Sequence, residues 1–169
     1  MNKGMPEYFS SIGQDSHRFE PAPSSRPLML GGVHIPDTPA LAGNSDADVI
    51  LHALCNAVSG LSGVNVLGAR TDQLCNEQGI TDSSVYVRET LATLDDIRLV
   101  HVSISVEARR PYLQGYIEAI RQSIACLLQL PIERVGLTAT SGEGLTSFGR
   151  GEGIQALVVA SAYRFTAEK

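Results

Sequence analysis

The sequence predicts an α/β fold of the α+β type, a single mixed β-sheet with helices on one face, and three observations carry that reading. Val100, Val102, Ile104 and Val106 alternate with His101, Ser103, Ser105 and Glu107, the period of a strand with one core face and one polar face. Ile50, Ala53, Leu54, Ala57, Val58 and Leu61 recur at the spacing of one helix face. The segment from Ile154 to Ala162 is apolar on both faces, as a central strand is. With 169 residues, 43% of them hydrophobic, the chain has the length for one domain over 1–169 with a substantial core.

Taken in order, residues 8–19 read as a strand that leads into a loop, because the Pro and Ser cluster at 21–27 interrupts regular structure. Residues 28–35 form a second short strand broken by Gly31 and Gly32. A helix begins within Asn44–Asp48, where Ser45 can cap free N–H groups and Asp46 and Asp48 suit the positive end of the helix dipole. Its polar face carries Asp48, His52, Asn56 and Ser59. From Gly60 to Gly79 the periodicity is weak, which predicts a long, partly mobile loop over a site. A second helix, capped by Asp82 or a neighbouring Ser, runs to about residue 95 with Val87, Leu91 and Leu94 inward. Strand 100–107 follows, and then a helix that starts at Pro111 and keeps its period through Leu113, Ile117, Ile120, Ile124, Leu127 and Leu128. Two strands at 134–140 and 153–165 flank a Gly-rich turn. Since the last strand is apolar on both faces, a second copy of the chain is the simplest cover for its outer face.

Composition removes several classes of function. The net charge is −5 and no basic cluster is interleaved with aromatics, so a nucleic-acid partner lacks its electrostatic footprint. No apolar run approaches the roughly 20 residues that span a bilayer, and Met1–Ser11 lack a signal-peptide layout, so a cytoplasmic location is expected. Cys55, Cys75 and Cys126 are odd in number and follow no CxxC spacing, against a disulfide framework and a thiolate metal knuckle.

Two groups of residues carry candidate chemistry. Asp15 and His17 leave the same face of a strand, and His52 on the helix can complete two imidazoles and one carboxylate, a zinc set with an open fourth position. The alternative is a solvated strand end with a surface histidine. Thr140-Ser141-Gly142-Glu143-Gly144 and Gly149-Arg150-Gly151-Glu152-Gly153 offer hydroxyls, close backbone approach and a carboxylate for a hard cation. Here the alternative is a glycine hairpin with Arg150 paired to Glu152. His34 and His101 have no acidic or histidine neighbour at ligand spacing and read as structural.

Four blocks resemble the 2-C-methyl-D-erythritol 2,4-cyclodiphosphate synthase family in order and separation: Gln14–Phe19, Gly31–Pro36, Ser45–Ala53, and Ala139–Ser141 through Gly149–Ile154. The resemblance implies a homotrimer with sites between subunits and its sheets at the centre. It implies zinc on Asp15, His17 and His52, and Mg²⁺ or Mn²⁺ on Glu143. It also implies a cytidine diphosphate-linked substrate, with the nucleotide on Ala108, Pro111, Ala139, Thr140 and Ser141 of the adjacent subunit. Asn44, Ser45 and Gly68 match positions beside the diphosphate and the erythritol, Thr140 and Glu143 join the zinc ligands as catalytic positions, and Arg150 and Glu152 match a trimer-axis cavity. The implied reaction is attack of the 2-phosphate on the β-phosphorus, with release of CMP, in non-mevalonate isoprenoid synthesis.

This chain departs from the family at several of these positions. Asn44 and Ala47 replace His and Gly of His-Ser-Asp-Gly-Asp, Asn56 replaces a helix Asp, Val66-Leu67-Gly68 replaces Asp-Ile-Gly, and Tyr112 stands where a Lys is common. The alternatives they raise are a non-catalytic trimeric relative that binds a nucleotide or isoprenoid diphosphate, and hydrolysis to a linear product.

Overall fold

The N-terminal alternation forms strand β1, Pro6–Arg18, in a computed structural model that describes residues 4–21, 24 and 26–166. Phe9, Ser11, Gly13, Asp15 and His17 turn inward, while the even positions between them are exposed. Ala22, Pro23 and Ser25 of the expected Pro and Ser break lie outside the described residues, as do Met1–Lys3. The expected broken strand is a hairpin of β2, Leu28–Leu30, and β3, Val33–Ile35.

Helix α1 spans Val49–Ser62 and ends on the left-handed C-cap Gly63. Its N-cap is Asp48, so the helix begins later than the Ser45 signal suggests; Ser45 instead accepts from Ala47 N at 3.1 Å. Asp48 belongs to the interior rather than the polar face. Its Oδ1 accepts from Ile50 N and Leu51 N at 3.1 Å each and from Gly31 N at 2.8 Å, and its Oδ2 accepts from Gly32 N at 2.7 Å. Burial pushes this carboxyl up, against the opposing pull of those N–H groups. One carboxylate therefore fastens the hairpin turn to the start of α1. Ser59 is likewise buried.

The long loop expected over 60–79 contains a helix, α2, Ala69–Gln78. It escapes a periodicity test because few of its side chains are apolar; Thr71 and Leu74 are buried and most neighbours are exposed. Local bonding sets its ends: the Thr71 hydroxyl accepts from Gly68 N at 3.0 Å and donates to Gly68 O at 3.1 Å, and Gly79 caps the C-terminus in the left-handed region. Helix α3, Ser83–Leu91, is capped by Asp82 through Ser84 N at 2.8 Å. Strand β4, Arg98–Glu107, buries Val102, Ile104 and Val106 as its alternation predicts.

Pro111 does not open a helix. It follows a cis peptide bond, a single 3₁₀ turn occupies Leu113–Gly115, and regular helix α4 runs only over Ile117–Leu128, with Gly115 and the missing side-chain cap at Tyr116 delaying its start. Strands β5, Val135–Thr140, and β6, Gly153–Phe165, complete the chain.

The main sheet has four strands in the order β1-β6-β4-β5, with β4 and β5 parallel and the other pairs antiparallel. It is mixed, as expected, but the β2–β3 hairpin pairs separately, giving two sheets instead of one. The buried side chains form a core cluster that α1, α3 and α4 share with the inner face of the main sheet. On the other face, Tyr8, Ile12 and Val159 are exposed. The outer faces of β1 and β6 therefore expose apolar side chains in the single chain.

Helix α1 meets β1 without a side chain between them at Gly13. A Cβ there would stand 2.1 Å from Ala53 O and 2.2 Å from Ala57 N. The Ser11 hydroxyl donates to Ala57 O, and Asn56 Nδ2 donates to Gln14 O at 2.9 Å, so polar bonds hold both flanks of the contact.

Asp48→Asn keeps one carbonyl oxygen for the α1 N–H groups but sets an NH₂ against Gly32 N, and it is expected to cost about 1–3 kcal/mol. Asp48→Ala strands all four donors and is expected to cost about 3–5 kcal/mol. Urea denaturation checks both, and equal midpoints for the three proteins would contradict this role.

Candidate metal and substrate site

Strand alternation points Asp15 and His17 to the same side of β1, and α1, pressed onto β1 at Gly13, brings His52 beside them. Asp15 Oδ2 lies 2.9 Å from His17 Nε2 and 3.1 Å from His52 Nδ1, and the two imidazole nitrogens are 3.2 Å apart. Burial pushes the Asp15 carboxyl up, yet hydrogen bonds and positive charge from His17 and His52 outweigh it and hold the group well below the usual carboxylate range. The hydrogen bond that His17 donates to Asp15 raises its imidazole above the usual value, against the lowering effect of burial.

The set fits a divalent metal. Three ligand atoms, two nitrogens and one oxygen, converge within 4.8 Å of one another, and His17 Nδ1 is engaged by Ala42 O at 2.8 Å, which leaves Nε2 to face the centre. Among the described residues this is the one such group of His, Cys, Asp and Glu.

Beside it opens a cavity of about 130 Å³ lined by His17, Asn44, Ser45, His52, Cys75 and Tyr86, among others. Asn44 and Ser45 thus stand on the wall of the cavity that His17 and His52 also line. Gly68 is the N-cap of α2, the helix that contributes Cys75 to the wall. The loop before α1 is held by Arg26, whose guanidinium donates to Leu41 O at 2.9 Å, Gly43 O at 3.1 Å and Ser45 O at 2.6 Å.

The second group gathers elsewhere. Ala108 N donates to Thr140 O at 2.9 Å, which joins the residue after β4 to the end of β5 between Ala139 and Ser141; Pro111 follows three residues after Ala108. Glu143 follows in a 3₁₀ turn, with φ of 68°, 51° and 78° at Gly142, Glu143 and Gly144. Flanking glycines suit this left-handed turn, and Gly142 also packs where a Cβ would strike the Glu107 carboxylate. Glu107 in turn accepts from the Thr146 hydroxyl.

Sheet register separates the two groups within the chain. Asp15 pairs with Ala156, Ala156 with Val106, and Val106 with Ala139. Three interstrand steps put Ala139 about 14 Å from Asp15. Ala156 and Val106, both fully buried, fill the space between. Arg150 and Glu152 pair with each other at 2.9 Å, the simpler of the two readings of that turn. His34 and His101 lie outside the metal group.

Sequence reasoning missed Gly13, Arg26, Cys75, Tyr86 and Ser83. Gly13 is an isolated glycine inside a strand pattern, which signals close backbone approach. Ser83 carried only a helix-start signal, and Arg26, Cys75 and Tyr86 carried none.

The YgbB family model matches residues 9–163. The 2-C-methyl-D-erythritol 2,4-cyclodiphosphate synthase of Chlamydia muridarum is 44% identical over 159 residues, covering 94% of this chain and 89% of that one. The enzyme of the same name from Chlamydia caviae is 43% identical over 159 residues, covering 94% of this chain and 90% of that one. Among solved structures, bifunctional IspDF from Campylobacter jejuni superposes with a TM-score of 0.87 at 29% identity, over 96% of this chain; the chain spans 44% of that longer protein. A 2C-methyl-D-erythritol-2,4-cyclodiphosphate synthase in its CDP-bound form gives a TM-score of 0.78 at 31% identity, over 91% of this chain and 99% of that one. With the family model across most of its length and relatives above 40% identity, the chain belongs to the YgbB family of 2-C-methyl-D-erythritol 2,4-cyclodiphosphate synthases.

Proposed function

We propose that the chain converts 4-diphosphocytidyl-2-C-methyl-D-erythritol 2-phosphate to 2-C-methyl-D-erythritol 2,4-cyclodiphosphate and CMP, as a phosphorus-oxygen lyase of non-mevalonate isoprenoid synthesis. The observation that carries this reading is the convergence of Asp15, His17 and His52 beside a cavity in a member of this family. A 2-phosphate oxygen forms a bond to the β-phosphorus, the bond from that phosphorus to the CMP oxygen breaks, and CMP leaves with the electron pair. Both reacting groups are anionic, so alignment and charge neutralisation dominate the barrier. Asp15, His17 and His52 would hold zinc, which supplies Lewis-acid stabilisation of phosphate charge.

Asn44 and Ser45 border the cavity, where diphosphate oxygens would meet backbone and hydroxyl donors, and Gly68 would border the erythritol. Ala108, Pro111, Ala139, Thr140 and Ser141 would hold the cytidine nucleotide, with Glu143 on Mg²⁺ or Mn²⁺. Their distance from Asp15 across a filled core supports delivery of this second group by a neighbouring copy. The exposed apolar side chains of Tyr8, Ile12 and Val159 support a homotrimer closed around the open sheet face. In that arrangement Arg150 and Glu152 would stand near the axis. One domain carries all these roles in this reading. Among the described residues no helix is long and apolar enough to cross a membrane, and a cytoplasmic location is part of the same proposal.

Phosphorus NMR on purified protein with substrate, zinc and magnesium tests the reaction. The expected products are CMP and a cyclic diphosphate, with activity reduced at least about 1,000-fold in His52→Ala. A linear diphosphate would indicate hydrolysis, and unchanged substrate would indicate a binding protein.

The raised His17 value sets the pH dependence of metal uptake. The proton that Asp15 helps His17 retain must leave before a metal binds, so zinc affinity rises with pH and falls about tenfold per unit below the raised imidazole value. Competition with a chromophoric chelator between about pH 5.5 and 8 measures this, and a flat profile would contradict it.

A further inference from the structure

His52 reaches the metal group through Nδ1, and its other nitrogen meets hydroxyls. Nε2 lies 2.9 Å from Ser83 Oγ and 3.3 Å from Ser45 Oγ. Ser83 is fully buried at the first position of α3, and its hydroxyl contacts Asp46 Oδ1. Asp46 also accepts from Ser83 N at 3.1 Å and from Asp48 N at 3.2 Å. Its carboxylate is surrounded by donors.

These contacts assign the protons. An ionised carboxylate only accepts, so the Ser83 hydroxyl donates to Asp46. That hydroxyl has no second proton, so towards His52 it accepts. Nε2 of His52 therefore carries a proton, and the proton that Nδ1 shares with the Asp15 carboxylate at 3.1 Å is the one a bound metal would displace, leaving the Nδ1 lone pair for the metal. Ser45 Oγ already accepts from Ala47 N and lies farther from the ring, so it is the lesser partner.

We infer that Asp46 and Ser83 form a positioning relay that fixes the tautomer and ring orientation of His52, so that Nδ1 is presented to the metal. The inference rests on the metal reading of the site. Asp46 connects the relay to the rest of the fold: it binds the backbone at the start of α3 and at the N-cap of α1, so one carboxylate registers two helices against the ligand. Outer partners that orient a metal-ligating histidine typically carry about 10- to 100-fold in metal affinity.

The test uses the full chain loaded with zinc. Long-range ¹H–¹⁵N correlation of the histidine rings is expected to find His52 protonated at Nε2 and metal-bound at Nδ1. Ser83→Ala is expected to bind zinc about 10- to 100-fold more weakly by chelator competition, and to show an altered visible spectrum with Co²⁺. A His52 ring bound through Nε2, or a Ser83→Ala protein with wild-type zinc affinity and Co²⁺ spectrum, would overturn the relay. If Ser83→Ala does not fold, the tautomer of the wild-type ring decides. Failure of the wild-type chain to take up zinc would instead remove the metal reading itself, and the relay with it.

Discussion

The closeness of α1 to β1 at Gly13 is the constraint on which the site depends. With a Cβ position only 2.1 Å from Ala53 O, any side chain at residue 13 would drive the helix off the strand. His52 immediately precedes Ala53, and Asp15 lies two residues beyond Gly13, so the same contact sets the gap between helix and strand ligands. Asp48 fixes where the helix begins, and Asn56 and Ser11 hold it along the strand. The three ligands meet because a backbone contact is allowed, and no long side chain has to reach across.

Several departures from the family pattern have a local physical account. Asn56 donates its amide to Gln14 O, a bond that a carboxylate would not make, so here the position serves the seam between α1 and β1. Val66 is 5% exposed and turns inward, where a carboxylate would need a partner. Asn44 remains on the cavity wall and accepts the Cys75 thiol through its backbone carbonyl at 3.1 Å. The cavity wall is therefore built with α2 packed against it, a helix with few inward apolar residues.

Much of the fold was legible because most elements bury one face. The alternation of β4 and the helical spacing of α1 needed no tertiary information, and the Asp-x-His spacing already put two ligands on one side of β1. Elements governed by local polar bonding were harder to read. Helix α2 is set by Thr71, Gly68 and Gly79 rather than by an apolar stripe, and Asp48 looks like a surface residue until its four N–H partners come from two segments. The site divided in the same way. The spacing of Asp15, His17 and His52 is enough to suggest that they converge, whereas Ser83 meets His52 through a contact 31 residues away in sequence and shows only a helix-start signal. Nor does the linear order of residues reveal that Ala139 lies in, and Glu143 just after, the edge strand opposite the one that carries Asp15; strand order does.

The claim that α1 and β1 together build one metal site is tested most directly by anomalous diffraction at the zinc edge from crystals of the zinc-loaded protein. The account predicts one strong peak per chain, bonded to Asp15, His17 Nε2 and His52 Nδ1. A peak held by other residues, or none among these three, would contradict it.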